Sequence, residues 1–339
     1  MKNLVWAGAA LALAALLAVP AADLYYQSSW GEGCARCHEI RINFDVWQKS
    51  AHRNINCNGC HASSLAGNLR RVKAHLTGQV PERIHLKNDD AVAMVARCRS
   101  CHQQEFAQWN AGPHSTTFAR IFTDPEHNQK RPLMEDCLRC HGMLFEGSIK
   151  DVVQPMDGKG PWKLVDAKMT NQPAIPCLSC HAMHHEGQRL SKGNTRIGAK
   201  QEIMRPSLGL YDRRAQRHMS AAVLPVPGMF DGARPVKMSP DQRQSLCYQC
   251  HAPLAAMQVG SGDDRTPKGV HEALSCMACH QKHGQNTRQS CADCHPRLSN
   301  CGINVEKMDT TFLNPKSKHN VHWVKCADCH EKGVPKKKG

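Results

Sequence analysis

Cysteine and histidine recur in this sequence at a spacing that suits covalent attachment of an iron porphyrin. Eighteen of its 19 cysteines fall into nine Cys-x-x-Cys pairs, and a histidine follows each pair directly. The motifs are Cys34-x-x-Cys37-His38, Cys57-x-x-Cys60-His61, Cys98-x-x-Cys101-His102, Cys137-x-x-Cys140-His141 and Cys177-x-x-Cys180-His181. Cys247-x-x-Cys250-His251, Cys276-x-x-Cys279-His280, Cys291-x-x-Cys294-His295 and Cys326-x-x-Cys329-His330 complete the set. This is the attachment signature of c-type haem. The two thiols form thioethers with the haem vinyl groups, and the adjacent imidazole reaches the iron as proximal ligand. Zinc sites also use Cys-x-x-Cys, but they combine two pairs and ask for no histidine after each. A disulfide framework has no need of the histidines either. Histidine makes up 21 of 339 residues, so its arrival by chance after every pair has a probability of roughly 10⁻¹¹. Nine covalently bound c-type haems are therefore expected. Cys301 stands outside the motifs and is expected to be a small buried residue.

Each iron can take a second axial ligand. Twelve histidines lie outside the motifs, enough to cap nine irons on both faces. Local spacing favours His52, His114, His218, His271 and His283 as distal metal ligands, with His75, His184, His185 and His322 next. His85, His127 and His319 are the expendable ones. His52 and His114 end a repeated pattern, Phe-x-x-Trp-x-x-x-x-His, after the first and third motifs (Phe44, Trp47, His52; Phe106, Trp109, His114). The Phe and Trp, three residues apart, share one face of a helix.

The elements that position these residues follow from composition. Only 5% of residues are aromatic and the mean hydropathy is −0.52, so side chains alone make a poor core and the porphyrins are expected to fill it. The fold expected is mainly α with extensive irregular loops, haems forming the core and a single N-terminal membrane helix. Motif starts are separated by 23, 41, 39, 40, 70, 29, 15 and 35 residues. That spacing divides the chain into an N-terminal apolar segment (1–23), a five-haem region (24–181), a haem-free connector (182–246) and a four-haem region (247–339). The connector holds Arg205, Arg213, Arg214, Arg217, Arg234 and Arg243, with one helix expected near Tyr211–Ala222. Its arginines are expected to wrap the core and bind propionates.

Charge excludes one class of partner. The bare chain carries +15. Two propionates on each of nine haems bring roughly −18, and the ferric irons return about +9. The loaded protein is then near neutral, and nucleic acid is not an expected partner.

Residues 3–22 carry no charge and follow Lys2. Twenty uncharged residues match a bilayer core of about 30 Å, with Tyr25, Tyr26 and Trp30 at the outer interface. Val19-Pro20-Ala21 would also allow cleavage of a signal peptide after Ala21. The apolar segment, a brief spacer, then Cys34-x-x-Cys37-His38, Trp47-x-x-Ser50-Ala51-His52 and Cys57-x-x-Cys60-His61 resemble the NapC/NirT/NrfH family over about residues 1–102. Those are membrane-anchored c-type cytochromes that oxidise quinol and pass electrons to periplasmic reductases. The resemblance implies an uncleaved anchor, a location on the periplasmic side of the inner membrane, a first haem near the bilayer and quinol beside it. It also implies a quinol-site lysine, for which Lys73 is the nearest match. Where some members carry an axial Met two residues after the first motif histidine, this chain has Ile40. Nine haems also exceed the four or five usual there.

The function expected is passage of electrons through a haem chain, from the quinol pool or another membrane donor to a periplasmic or outer-membrane acceptor. The alternative is an oxidoreductase acting on a small nitrogen or sulfur compound at one open-site haem; the Cys-x-x-Cys-Lys variant found in some such enzymes is absent. Denaturing mass spectrometry tests the cofactor count: the expected mass is that of the uncleaved chain plus nine haems, and a loss of 21 residues would mark cleavage after Ala21.

Overall fold

Helices make up most of the regular structure, and several Cys-x-x-Cys-His motifs form short turns of their own. The structure, a computed structural model, describes residues 2–61, 64–80, 85–184, 207–226, 228–252, 264–280, 283, 290–291, 294 and 322–325. The chain divides into two units, one of residues 1–85 with 183–186, the other of 86–182 with 187–339. Packing cuts the chain after residue 85, whereas motif spacing groups it around the 182–246 gap.

The first unit begins with α1 (Lys2–Ser28), in which Val5–Ser28 is apolar and long enough to cross a bilayer. Length and composition alone suit a span and a signal sequence alike. A tight turn follows, with Gly31 at φ +87° and Phe44 and the Cys57 thiol against it; a Cβ there would come within 2.5 Å of the Cys57 Sγ. Helices α2 (His38–Gln48), α3 (Cys57–Cys60) and α4 (Leu65–Leu76) complete the unit. Polar side chains start the last two. The Asn56 side chain accepts from the Asn58 amide at α3, and Ser64 Oγ accepts from the Gly67 amide at 3.1 Å at α4, each satisfying an amide that the first turn leaves open. Trp47 Nε1 donates to the His52 and Ile55 carbonyls at 2.9 and 3.1 Å, folding the loop after α2 back on itself.

The second unit opens with α5 (Asn88–Cys101) and α6 (Gln103–Asn110). Asp89 and Asp90 occupy the first turn of α5, where carboxylates complement the helix dipole. Then come α7 (Phe118–Phe122), α8 (Pro125–Lys130), α9 (Ile149–Val152) and the short pair β1 (Val153–Gln154) and β2 (Lys163–Leu164). Two further hairpins follow, β3 (Gly209–Asp212) with β4 (Arg217–Ser220), and β5 (Phe230–Asp231) with β6 (Arg234–Pro235). Helices α10 (Ser245–Tyr248) and α11 (Cys276–Cys279) carry later motifs.

Two features differ from expectation. First, the helix expected near Tyr211–Ala222 is the β3–β4 hairpin. Tyr211 and Gly209 are buried while Leu210 and Asp212 are half-exposed, the two-residue period of a strand. Asp212 Oδ1 accepts from the amides of Arg214 and Ala215, an Asx turn that reverses the chain before helix can form. Second, the second unit has a conventional side-chain core. Phe118, Phe122, Leu133, Leu138, Ile149, Val152, Val153, Trp162, Met169 and Ala174 are all buried in one cluster. The low aromatic content hid it because its few large residues concentrate between 118 and 174. Connector arginines engage protein acids as well: Arg213 donates to Glu135 at 2.7 Å and also to the Phe145 and Gly147 carbonyls, Arg234 to Glu272 at 2.8 Å, and Arg243 to Asp241. The Arg234 guanidinium and the Lys237 amide hold the Glu272 carboxyl down to about 2.

Asp241 is the most enclosed of these acids. Its side chain is fully buried and accepts Arg243 Nε at 2.9 Å, Arg243 Nη2 at 2.8 Å and Ser275 Oγ at 2.7 Å. Burial alone would raise its carboxyl; these hydrogen bonds outweigh that and hold it below the usual range. Ser275 Oγ in turn accepts the Met277 amide at the start of α11, so Asp241 fastens the sixth motif's approach to the seventh motif. Removing one partner of a buried ion pair strands the other, so Asp241→Ala is expected to cost about 3–5 kcal/mol in chemical denaturation. Asp231→Ala, at the exposed Arg234, should leave the denaturation midpoint close to that of the unchanged protein. The Asp241 contribution is present above the ordinary carboxylate pKa of about 4 and should vanish as pH falls through the lowered folded value.

Candidate metal centres

Among the described residues, seven motifs are each built on one helical turn. The amide of the motif histidine closes on the carbonyl of the first cysteine for His61 (2.7 Å), His102 (2.8 Å), His141 (2.9 Å), His181 (3.1 Å), His251 (2.8 Å) and His280 (2.8 Å). In the first motif the turn is tighter, with Cys37 N–H on Cys34 O at 3.2 Å. Residues i, i+3 and i+4 of such a turn share a face, so two thiols and an imidazole emerge together. In the first, fourth, fifth and sixth motifs the residue after the first cysteine is buried and anchors the turn: Ala35, Leu138, Leu178 and Tyr248.

Opposite several motif histidines stands a second histidine. His38 faces His75 with ring centres 5.8 Å apart, His61 faces His184 at 6.0 Å, and His181 faces His283 at 6.0 Å. His251 faces His114 at 6.1 Å and His280 faces His322 at 6.2 Å. Every one of these five pairs joins one motif histidine to one histidine from outside the motifs. Two imidazole nitrogens about 2 Å from a shared metal, each about 1.1 Å from its own ring centre, set the centres about 6 Å apart. The pairs therefore fit an iron held between two imidazoles. Among the described residues no group of three or more His, Cys, Asp or Glu gathers into a cage for a metal ion, which is the arrangement zinc would require.

Different devices hold the second histidine of each pair. His75 lies in the last turn of α4. The His184 ring hydrogen-bonds the Asn43 backbone carbonyl, and an imidazole that donates from one nitrogen presents the lone pair of the other. His114 lies in a 3-10 turn, Pro113–Ser115, just after α6; Trp109 of α6 donates to the Ile175 carbonyl at 3.3 Å, two residues before the fifth motif. His283 follows motif histidine His280 by three residues, as His184 follows His181. His322 is set by backbone pairing: Lys268 N–H donates to the His322 carbonyl at 2.6 Å and Val270 N–H to the Val324 carbonyl at 2.9 Å. Gly269 between them has φ +65°, and its α-carbon passes so close that a Cβ would lie 2.1 Å from the Val324 oxygen.

Thiols of different motifs also meet. Cys98 hydrogen-bonds Cys177, Cys140 hydrogen-bonds Cys250, and Cys247 hydrogen-bonds Cys276. Arg139, beside Cys140, donates to the Gln249 carbonyl at 2.8 Å and reinforces the second contact. Burial pushes the Cys180 thiol up to about 12, with Cys247 nearby adding to the rise. Desolvation holds three imidazoles below the ordinary histidine range, aided by His251 and then His280 and His283 at His114, by His61 at His184, and by Arg265 and then His251 at His280. Neutral imidazole is the form that binds metal.

His218 has Nε2 2.7 Å from the Leu178 carbonyl and its ring against Tyr211. His52 sits in the loop closed by Trp47, His271 in the 3-10 turn Gly269–His271, and His102 3.9 Å from Glu105. His127 Nδ1 is 3.2 Å from the Asn128 side chain. Lys73 is exposed on α4. His185, His295, His330, His319 and Cys301 lie outside the described residues. The supporting residues Asp241, Ser275 and Gly269 were not singled out in the sequence; the serine directly before Cys276 was the one available signal, since serine caps helices.

Over residues 97–182 the chain is similar to the family described as cytochrome c554 and c-prime. That stretch holds the third, fourth and fifth motifs and the side-chain core. The likeness supports a multihaem c-type cytochrome with covalently bound haem and a haem-based electron-transfer role. No curated protein and no solved structure gives a significant match. Gly269→Ala is expected to displace His322 from His280: electron paramagnetic resonance of the loaded protein should show one low-spin signal lost or shifted and the others unchanged.

Proposed function

We propose that this chain is a membrane-anchored nonahaem cytochrome of the NapC/NirT/NrfH kind, passing electrons from quinol or another membrane donor to a periplasmic redox protein or an outer-membrane acceptor. The observation that carries this reading is the pairing of five motif histidines with five others at iron-bridging separation. Haem held at these residues supplies one-electron exchange at iron, with a potential tuned by axial ligands and surroundings. The chain's part is to fix each centre and to bring the centres close. Two imidazoles at a site leave no position for substrate and hold the same ligand set in both oxidation states.

Proximity follows from the thiols. In the first unit Cys34 lies near Cys57, which brings the first and second motifs together. In the second unit Cys98 meets Cys177, Cys180 lies near Cys247, Cys140 meets Cys250, Cys247 meets Cys276, and Cys279 lies near Cys291. Those contacts make a continuous set from the third motif to the eighth. The family resemblance makes α1 an uncleaved anchor and puts the electron entry at the first motif. Lys73, two residues before His75 on α4, is then the proposed quinol contact. A nitrogen- or sulfur-compound reductase would need an open position at a motif other than the five paired ones, and no observation favours it.

The test combines spectroscopy and reduction. Near-infrared magnetic circular dichroism should report bis-histidine low-spin haem at the paired sites. His75→Met should convert one of them to a His/Met signature with a raised potential, so that this haem holds the electron and a menaquinol analogue reduces the haems beyond it at least tenfold more slowly, with dithionite still reducing every haem. Lack of any reduction by quinol analogues in membranes would sink the quinol part and leave a carrier fed by another protein.

A further inference from the structure

Among the described residues, the last helix of the first unit presents an exposed apolar face. Leu65, Leu69, Val72 and Leu76 of α4 are 39%, 52%, 51% and 79% exposed. At about 100° per residue they fall within an arc of roughly 60°, a continuous apolar stripe along three turns. Four large apolar side chains aligned in water are costly, so such a stripe marks a surface made for contact. The rest of α4 is basic, with Arg70, Arg71 and Lys73 and no acidic residue.

Hydrogen bonds fix where α4 sits along α1. Asn68 Nδ2 donates to Asp23 Oδ1 at 3.3 Å, and Asn56 Nδ2 of the preceding segment donates to the Gln27 carbonyl at 2.9 Å. Asp23 is the first charged residue after the uncharged run 3–22, so it marks the level at which α1 leaves the hydrocarbon. Tyr25 and Trp30 are exposed at that same end, and these are the residue types that settle at a bilayer interface. The stripe therefore begins at the level of the membrane surface.

We propose that α4 is an interfacial helix, its Leu65–Leu69–Val72–Leu76 stripe seated among the lipid headgroups of the bilayer that α1 crosses. This rests on the reading of α1 as a retained anchor. An apolar stripe bordered by lysine and arginine suits an anionic leaflet, with the basic stems lying along lipid and their charges at the phosphates. Charge complementarity and the tie to α1 favour lipid over a second protein. His75 is on this helix and faces His38, so seating α4 in the interface also fixes the first centre at the membrane surface.

Photocrosslinking of the full-length, haem-loaded protein tests this. Benzoylphenylalanine replaces Leu69 or Val72 on the stripe, Ala74 on the far side of the helix, or Leu11 within α1. Haem absorbance per chain checks that each protein has folded. The proteins are irradiated in nanodiscs of phosphatidylglycerol and phosphatidylethanolamine and analysed by mass spectrometry. Lipid adducts at 69 and 72 are expected at a yield like that at 11 and at least tenfold above that at 74. Adducts at 11 but not at 69 and 72 would overturn the interfacial helix and leave the anchor standing. No adduct at any position would remove the anchor and the inference with it. Crosslinks from 69 or 72 to a second protein chain would overturn the lipid assignment.

Discussion

Five pairs of imidazoles from separate stretches of chain face each other across a gap that would fit one metal ion, and much of the described structure serves to bring them there. One helical turn settles half of that placement, since Cys-x-x-Cys-His puts two thiols and an imidazole on one face by backbone geometry alone. The other half has no local solution. His75 is supplied by an amphipathic helix, His114 by a 3-10 turn, and His322 by a backbone pairing that tolerates only glycine at position 269. Long helices and wide sheets would hold such residues too far apart, and the elements are correspondingly short.

A recurrent device shortens the path between centres. Cys177-x-x-Cys180-His181-x-x-His184 and Cys276-x-x-Cys279-His280-x-x-His283 carry a second histidine three residues after the first. His280 pairs with His322 while His283 pairs with His181, so one short stretch serves two centres. A stretch shared in this way holds two centres close through covalent bonds, which no loop motion can lengthen. Electron exchange between neighbours depends on that closeness.

Ordinary protein chemistry stabilises the framework between the motifs. The cluster from Phe118 to Ala174 buries Leu138 of the fourth motif directly, and the Asp241–Arg243–Ser275 network ties the sixth motif's approach to the helix of the seventh. Arginines that looked free to meet propionates are in part spent on Glu135, Asp241 and Glu272. The charge excess read along the chain is thus shared between internal pairing and any bound cofactor.

The chemistry was legible in one dimension because it is local. A five-residue motif needs no tertiary information to define a helical turn, and the excess of histidines announced that irons would be capped from both sides. The apolar N-terminal helix was equally plain, being a run of uncharged residues. Which histidine meets which motif was not legible: His75 and His322 lie 37 and 42 residues from their partners His38 and His280, and nothing in the sequence encodes the return of the chain. The β3–β4 hairpin escaped for a related reason, since its strands are four residues each and a single Asx turn decided it. Composition likewise averaged away a core concentrated in one segment. The sequence by itself determined the turns that put two thiols and an imidazole on one face, and the apolar segment, both of which depend on contacts within about one helical turn. The tertiary structure alone decided the facing histidines, the neighbouring thiols and the exposed stripe of α4, because each depends on where distant segments come to rest.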